Sequence, residues 1–381
     1  MPRVLFYVQH LLGLGHDARA ATMTRAMIRA GLDVTYINGG FLDMPLDLLG
    51  ADYVPMPPLK AASPAYDGLI GAADGAPDDA YWRRRQERLQ DAFEQARPDV
   101  LLIETFPFGR WPFRRELLPL LDLAKGRCRI LCSVRDILEP KAEARRNRQI
   151  VALVNQYFDL ILVHGDPVFV PLDETFPRAA EIGQRVRYTG YIASEIATEQ
   201  GASAEGRGEI IVSAGGGATC GMLMQAAAEA ASQDDRPWHF LLGPNYPASV
   251  RNFLAATPGI TVEPVRPDFA RLLGHAAASV SQAGYNTTLD ILSSNTPAVM
   301  VPHEGHGQTE QFRRAAHLAK LRRVALVREE KLTGASLLRA IAQAQTLKVA
   351  ASHAIDRDGA RRTAELIGGL CAAGEHRQPA I

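Results

Sequence analysis

The sequence is poor in the features that build metal centres, disulfide frameworks and membrane spans. It has four cysteines, and none forms a CxxC pair or a cluster with histidine. We therefore expect neither a zinc site nor a disulfide framework, and a reducing cytosol as the compartment. No apolar run approaches the length of a membrane-spanning helix, and Val4–Val8 is too short for a signal sequence.

The chain also lacks net charge. Lys plus Arg and Asp plus Glu both number 42, so nothing global points to nucleic acid as a partner. One segment departs from this balance, because residues 81–148 hold 16 basic and 10 acidic residues. This segment predicts a peripheral contact with the inner face of a membrane.

The order of apolar runs and glycine turns indicates an α/β protein. Val4–Val8 is typical of a buried parallel strand. A turn through Gly13 and Gly15 follows, then a helix to about Ala30 and a second strand at Asp33–Asn38. The alternation continues through strands such as Val100–Glu104, whereas residues 55–80 read as a long loop. This pattern opens a doubly wound fold.

The pattern starts again after a small, polar stretch. A strand at Glu209–Ser213 leads into a turn at Gly215–Gly217 and another series of strands and helices. We predict two Rossmann-like domains that face each other across a cleft, although each glycine cluster alone could be only a tight turn. The expected domains are residues 1–192 and 209–358, the linker is 193–208, and a helix near 359–372 packs back on the first domain.

The densest polar segment spans residues 281–311. A strand ends at Ser281, the chain turns at Gly284, and a helix begins near Asn286 or Thr287. Free backbone N–H groups in the first turn of such a helix form an anion site suited to a diphosphate. Asp290, one turn further along, can accept hydrogen bonds from a ribose diol.

The loop after the next strand supplies more polar groups that could hold sugar hydroxyls. They are His303, Glu304, His306, Glu310 and Gln311. The structural alternative for the whole segment is a capped helix with solvated polar side chains.

On these motifs the chain resembles the GT-B glycosyltransferases related to MurG, the N-acetylglucosaminyl transferase of peptidoglycan synthesis. The resemblance implies that Asp290 binds ribose, where MurG has Glu, and that Glu310 and Gln311 contact the donor sugar. MurG has two Gln at that pair, so Glu310 departs from the pattern. The complete expected donor site is Gly13, Gly15, Gly215, Gly216, Gly217, Gly284, Tyr285, Asn286, Thr287, Asp290, His303, Glu304, His306, Glu310 and Gln311.

Two residues of the N-terminal half are candidate catalytic bases. His16 follows the first strand in a glycine turn, and a neutral histidine there can accept a proton. Glu104 ends a later strand and is the second candidate. The structural alternatives are a histidine that caps the helix or orients the loop, and a glutamate that caps a helix.

We expect no metal and no cofactor beyond the substrates. Asp356 and Asp358 form an acid-x-acid pattern, but they precede a C-terminal helix rather than follow a central strand. The resemblance implies an inverting hexosyltransferase that uses a nucleotide diphosphosugar, with UDP as the nucleotide. The acceptor is a glycan, a lipid-linked sugar or a small molecule. The same fold also carries nucleotide-sugar hydrolases and 2-epimerases, and a non-catalytic nucleotide-sugar sensor is the other alternative.

Overall fold

The computed structural model describes most of the chain: residues 1–11, 15–41, 46–63, 68–72, 75–139, 144–193, 206–213, 221–243, 246–266, 268–305, 309–347 and 355–374. The chain divides into two compact units. Unit 1 comprises Met1–Ala193 and Asp356–Ile381, and unit 2 comprises Ser194–Ile355. Residues 194–205 of the predicted linker lie outside the described residues.

The strands are short and mostly buried. Those of unit 1 are β1 (Arg3–Val8), β2 (Asp33–Asn38), β3 (Asp52–Pro55), β4 (Lys60–Ala61), β5 (Leu69–Ile70), β6 (Val100–Glu104), β7 (Arg129–Arg135), β8 (Leu160–His164) and β9 (Val186–Tyr188). Those of unit 2 are β10 (Ile210–Ser213), β11 (Trp238–Leu242), β12 (Ile260–Pro264), β13 (Ala278–Ser281), β14 (Ala298–Met300) and β15 (Ala325–Leu326).

The helices lie between the strands in sequence. They are α1 (Gly15–Arg29), α2 (Asp79–Ala96), α3 (Arg114–Ala124), α4 (Ala144–Tyr157), α5 (Gly221–Ala231), α6 (Ala248–Ala255), α7 (Phe269–Leu273), α8 (Tyr285–Ser294), α9 (Glu310–Lys320), α10 (Gly334–Thr346) and α11 (Gly359–Gly374). Among the described helices, none is long and apolar enough to cross a membrane.

Both units contain a parallel sheet; six strands follow the same order in each, and the sheet of unit 1 has a seventh strand at one edge. The sheet of unit 1 runs β3-β2-β1-β6-β7-β8-β9, and that of unit 2 runs β12-β11-β10-β13-β14-β15. Every neighbouring pair that includes β1 or β10 is parallel. Two Rossmann-like units are therefore present, which confirms the predicted α/β fold class.

The strands of unit 1 separate two apolar layers. Leu5 and Tyr7 of β1 belong to one buried cluster, whereas Val4, Phe6 and Val8 belong to the other. This alternation follows from the two-residue period of a strand. The second layer also contains Ile367 of α11, so the C-terminal helix is part of the core of unit 1, where α1 and α11 contact each other.

Residues 55–80 differ from the long loop expected from their composition. β4 and β5 form a small antiparallel hairpin there, and Leu59 is fully buried. Buried Arg85 of α2 donates to the carbonyl oxygens of Gly39 and Pro57 and pairs with Glu116 at 2.7 Å. The segment is thus fixed by a buried guanidinium, which satisfies carbonyls that a loop would otherwise leave to water.

Candidate functional site

Each sheet has a crevice where its strand order reverses, and the candidate residues follow the strands beside these two crevices. In unit 1 the reversal lies between β1 and β6, and in unit 2 it lies between β10 and β13. Ligands of such sheets bind beyond the carboxyl ends of these strands. His16 follows β1, Glu104 ends β6, and Gly284 follows β13.

His16 and Glu104 are hydrogen-bonded partners in the crevice of unit 1. The Nδ1 atom of His16 lies 2.9 Å from Oε1 of Glu104. The Glu104 side chain is 1% exposed, whereas that of His16 is 15% exposed. The sequence brought both residues to one place but treated them as rival bases. The observed contact instead makes Glu104 a hydrogen-bond partner that supports His16.

Arg19 completes the anchoring of Glu104. It lies one helical turn after His16 on α1, and its guanidinium contacts the same oxygen of Glu104. Burial alone would raise the pKa of Glu104, but His16, Arg19 and the hydrogen bond from His16 outweigh it and hold that pKa well below its usual range. Glu104 therefore stays ionised and accepts a proton poorly.

The ionised Glu104 fixes the tautomer of His16. Because the carboxylate can only accept, Nδ1 of His16 carries the hydrogen, and Nε2 carries the lone pair. Burial lowers the pKa of His16 to about 4, against the opposing charge of Glu104 and with further lowering by Arg110 and Arg135. The imidazole is thus neutral near pH 7, which is the form that can take a proton.

Two arginines of this site were missed in the sequence. Arg19 could have been found, because residues three apart share a helix face. Arg110 could not, because the turn after β6 brings it back to His16. Its Nη2 atom lies 3.3 Å from Nε2 of His16.

In unit 2 the β13–α8 turn leads into the helix N-terminus for which the sequence predicts anion binding. Gly284 is the N-terminal cap of α8, with no side-chain hydrogen bond at the cap. Among the described residues, a Cβ added to Gly284 would meet no atom within 4 Å, so none of them fills the space beside the turn. Tyr285, Asn286 and Thr287 form the first turn of α8, where backbone N–H groups have no intrahelical acceptor.

Glu310 and Gln311 of α9 stabilise this turn through hydrogen bonds, Glu310 by way of Arg314. Oε1 of Gln311 accepts from the backbone N–H groups of Ala283 at 3.2 Å and His303 at 3.0 Å. Glu310 pairs at 2.8 Å with Arg314, whose other nitrogen donates to the carbonyl oxygen of Ala283 at 2.8 Å. The side-chain oxygens expected to contact the donor sugar therefore already hold the protein backbone and an arginine.

His303 and Glu304 are held by residues that the sequence did not single out. Nδ1 of His303 lies 3.1 Å from Glu329, and Glu329 also accepts from the backbone N–H of Glu304 at 3.0 Å. The Glu304 carboxylate pairs with Arg328 at 2.6 Å. The Nε2 atom of His303 is buried and has no hydrogen-bond partner among the described residues.

Asp290 lies further along α8 and is half-buried. No hydrogen bond or ion pair to another described residue engages its carboxylate. Burial raises the pKa of Asp290 to about 7. A carboxylate that is partly desolvated and unpaired is a strong acceptor for the hydroxyl groups of a ligand.

The remaining predicted residues divide into two groups. Gly15 begins α1. Gly13, Gly215, Gly216, Gly217 and His306 lie outside the described residues. Within the described part of the chain, no group of three His, Cys, Asp or Glu side chains is arranged to hold a metal ion. Asp358 of the acid-x-acid pattern pairs with Arg361, and Asp356 pairs with Arg362.

Comparisons with known proteins agree with this architecture. Residues 211–365 match the glycosyltransferase family 28 C-terminal domain. Over 88 residues the chain is 28% identical to a UDP-N-acetylglucosamine–N-acetylmuramyl-(pentapeptide) pyrophosphoryl-undecaprenol N-acetylglucosamine transferase of Thermotoga neapolitana. That alignment covers 23% of this chain and 26% of the relative, so the chain spans about a quarter of the relative's length.

Solved structures match over nearly the whole chain. MurG of Acinetobacter baumannii has a TM-score of 0.63 at 15% identity, with 97% of this chain and 100% of that chain covered. A UDP-glucosyltransferase from Polygonum tinctorium has a TM-score of 0.64 at 14% identity, with 99% of each chain covered. At such identities the likeness shows the fold. Residues 211–365 thus match the family 28 C-terminal domain, and the chain has the fold of the GT-B proteins.

Proposed function

We propose that this protein is a metal-independent, inverting glycosyltransferase. It transfers a hexose or N-acetylhexosamine from a nucleotide diphosphosugar, with UDP as the nucleotide, to the hydroxyl of a glycan, a lipid-linked sugar or a small molecule. The observation that carries the proposal is the 2.9 Å contact between Nδ1 of His16 and buried Glu104 at the strand-order reversal of unit 1. The family 28 domain in unit 2 supports the donor class.

His16 is the general base of the proposed reaction. The acceptor hydroxyl gives its proton to Nε2 of His16, and its oxygen attacks the anomeric carbon of the donor. The bond from that carbon to the diphosphate breaks, and the diphosphate leaves with the electron pair. Glu104 stabilises the imidazolium that forms, as a buried carboxylate does in hydrolase triads. One displacement without a protein nucleophile inverts the anomeric configuration.

The first turn of α8 receives the leaving diphosphate. Backbone N–H groups at a helix N-terminus and the helix dipole favour negative charge there. Charge that develops on the leaving group is stabilised without a metal ion if these donors are already in place. Gln311 and Arg314 hold the Ala283 backbone that leads into this turn, so the donors are fixed before the substrate binds.

Donor binding provides the test of this function. We expect UDP or a UDP-sugar to stabilise the protein without added metal, by about 2.7 kcal/mol at 100 times Kd. Thermal shift against a panel of nucleoside diphosphates and their sugars measures this effect. Loss of binding or turnover in EDTA would contradict metal independence. Product analysis with and without acceptors then separates transfer from hydrolysis and epimerisation.

Replacement of Asp290 should weaken nucleotide binding with little change in the fold. Asp290→Ala removes a charged acceptor for the ribose diol, and we expect a loss of about 1.5–3 kcal/mol in UDP binding free energy. Isothermal titration calorimetry measures this loss. Unchanged affinity in a folded variant would remove Asp290 from the site.

The pH dependence of binding provides a control for the same residue. Asp290 has a pKa near 7 in the free protein, and the ribose hydroxyls donate to its ionised form. UDP affinity should therefore fall as pH drops from 8 to 6. In Asp290→Asn, UDP affinity should no longer change with pH through the titration of residue 290. The change that comes from titration of the UDP phosphate should remain in both proteins.

We further propose a cytoplasmic protein that contacts anionic membrane surfaces through residues 81–148. Cys128 and Cys132 are free thiols, which suits a reducing compartment. Exposed arginines on three helices of the segment support the contact: Arg83, Arg84, Arg88, Arg114, Arg115, Arg145 and Arg148. Arg85 is excluded from this surface, because it is buried and paired with Glu116.

Co-sedimentation with lipid vesicles tests the membrane contact. We expect binding to vesicles with phosphatidylserine, weaker binding to neutral vesicles, and release by salt. Arg114→Glu should weaken binding by about fivefold or more, because one basic residue near an anionic surface contributes about 1 kcal/mol. Arg178→Glu, outside the segment, is the matched control. Equal binding to both vesicle types would contradict the contact.

A further inference from the structure

Arg110 contacts the nitrogen atom, Nε2 of His16, with which the proposed base must accept a proton. Nδ1 of His16 is committed to Glu104, so the lone pair lies on Nε2. The Nη2 atom of Arg110 lies 3.3 Å from this Nε2, and its Nε atom donates to the carbonyl oxygen of Gln9 at 2.7 Å. In the structure the guanidinium thus donates to the nitrogen that would receive the proton of an acceptor hydroxyl.

The turn after β6 holds Arg110 in this position. Thr105 and Arg110 both adopt the left-handed backbone region, with φ values of 71° and 57°. A Cβ on Gly109 would lie 2.6 Å from the side chain of Thr105, so any other residue there would displace Thr105. Left-handed conformations of non-glycine residues cost free energy and gather at functional sites. The turn is therefore strained, and it places Arg110 beside His16.

Burial and two arginines oppose the action of His16 as a base. Burial lowers its pKa most, the Glu104 carboxylate acts against this, and Arg110 and Arg135 lower the pKa further. A general base works best when its pKa is near the working pH. The masking guanidinium must move before His16 can act, and its charge then needs a partner at its new position. A neutral hydroxyl cannot provide that partner, whereas an oxyanion can.

We propose that Arg110 is a specificity-determining residue that masks Nε2 of His16 until an acceptor with an anionic group beside its reactive hydroxyl draws the guanidinium away. This inference rests on the proposed function, because it assumes that His16 deprotonates the acceptor. The acceptor class is then a hydroxyl compound that bears a phosphate or a carboxylate. Neutral acceptors of the same shape leave the base masked.

Nuclear magnetic resonance of His16 tests the proposal without any donor. The full chain is labelled with ¹³C at histidine Cε1, and His16→Asn identifies the His16 signal. The probes are glycerol 3-phosphate, glycerate and glycerol at equal ionic strength, because they share one carbon skeleton. Between pH 5 and 8 we expect no titration of His16 in the free protein or with glycerol. One or both anions should raise its pKa by about one unit or more, which is tenfold in proton affinity.

Arg110 variants show whether the response passes through this guanidinium. In Arg110→Gln we expect a higher His16 pKa in the free protein and no further rise with the anions. Arg110→Lys keeps the charge and should keep the response, and Arg178→Gln should behave as wild type. Response to the phosphate alone or to the carboxylate alone would narrow the acceptor class.

Two results would overturn the proposal. One is a His16 signal that ignores both anions in the wild-type protein. The other is an equal anion response in Arg110→Gln, because the anion would then act at another place. These failures differ from a failure of the proposed function, which would appear as absent UDP-sugar binding or as turnover that does not depend on His16.

Discussion

Replacement of His16 with alanine is expected to lower kcat by about 10²–10⁴-fold, the usual contribution of a general base. Donor affinity should stay close to wild type, because His16 belongs to unit 1 and the proposed nucleotide site belongs to unit 2. Steady-state kinetics with the acceptor varied and calorimetry with UDP measure the two effects separately. A loss in kcat without a loss in UDP binding is the expected result.

Two further variants separate catalysis from a structural role of His16. His16→Asn keeps a hydrogen-bonding group at the position but supplies no base, so it should be as inactive as His16→Ala. Retention of most activity in His16→Asn would show that the residue only shapes the turn. His275→Ala is the matched control, because His275 is an exposed histidine of unit 2, and its kcat should equal that of the wild type.

The pH profile of kcat/KM gives an independent check on the same base. This ratio reports groups of the free enzyme, and burial lowers the pKa of His16 there to about 4. A base must be unprotonated, so activity should be constant above its pKa and lost below it. We therefore expect no acidic limb between pH 5 and 8 in kcat/KM for the acceptor when the donor is saturating, because the titration of Asp290 then does not affect the ratio. A limb near 6.5, the value of an unperturbed histidine, would contradict the buried and arginine-flanked environment.

The positions of both crevices could be predicted from the sequence because they depend on local patterns. A short apolar run followed by glycine and a helix specifies a strand, a tight turn and a helix N-terminus, as at Val4–Val8 and again at Ser281–Gly284. Two such series fix the fold class. The observed start of α8 at Tyr285 lies one or two residues before the expected start, within the usual uncertainty of helix ends.

The tasks of the site residues were harder to predict, because they depend on partners distant in sequence. Glu104 stands 88 residues after His16, and its ionised state follows from contacts with His16 and Arg19, against the effect of burial, rather than from its neighbours in the chain. The polar side chains after the strands were predicted to contact the donor. In the structure the amide oxygen of Gln311 already accepts hydrogen bonds from two backbone N–H groups. Sequence shows which groups a residue carries, and only the fold shows which of them are already satisfied.

Loss of Arg314 should have the largest effect on stability in unit 2. Arg314 is fully buried and joins Glu310 of its own helix to the carbonyl oxygen of Ala283. Arg314→Leu leaves the Glu310 carboxylate without its cation, and removal of one partner of a buried pair costs about 3–5 kcal/mol. We expect the lower end, because the Glu310 side chain is 11% exposed. Urea unfolding read by hydrogen exchange in residues 278–301 measures the change in unit 2.

A double variant separates the stability of unit 2 from the support of the anion site. Arg314→Leu combined with Glu310→Leu removes both charges, so it should recover most of the lost stability. UDP affinity should stay reduced in the double variant, since the Ala283 carbonyl that leads into the first turn of α8 still lacks its hydrogen bond from Arg314. Arg313→Leu, at the next position of α9, makes the same substitution at a half-buried arginine and should change both quantities little. Full recovery of UDP affinity in the double variant would show that the turn needs no support from Arg314, and that the diphosphate site forms without it.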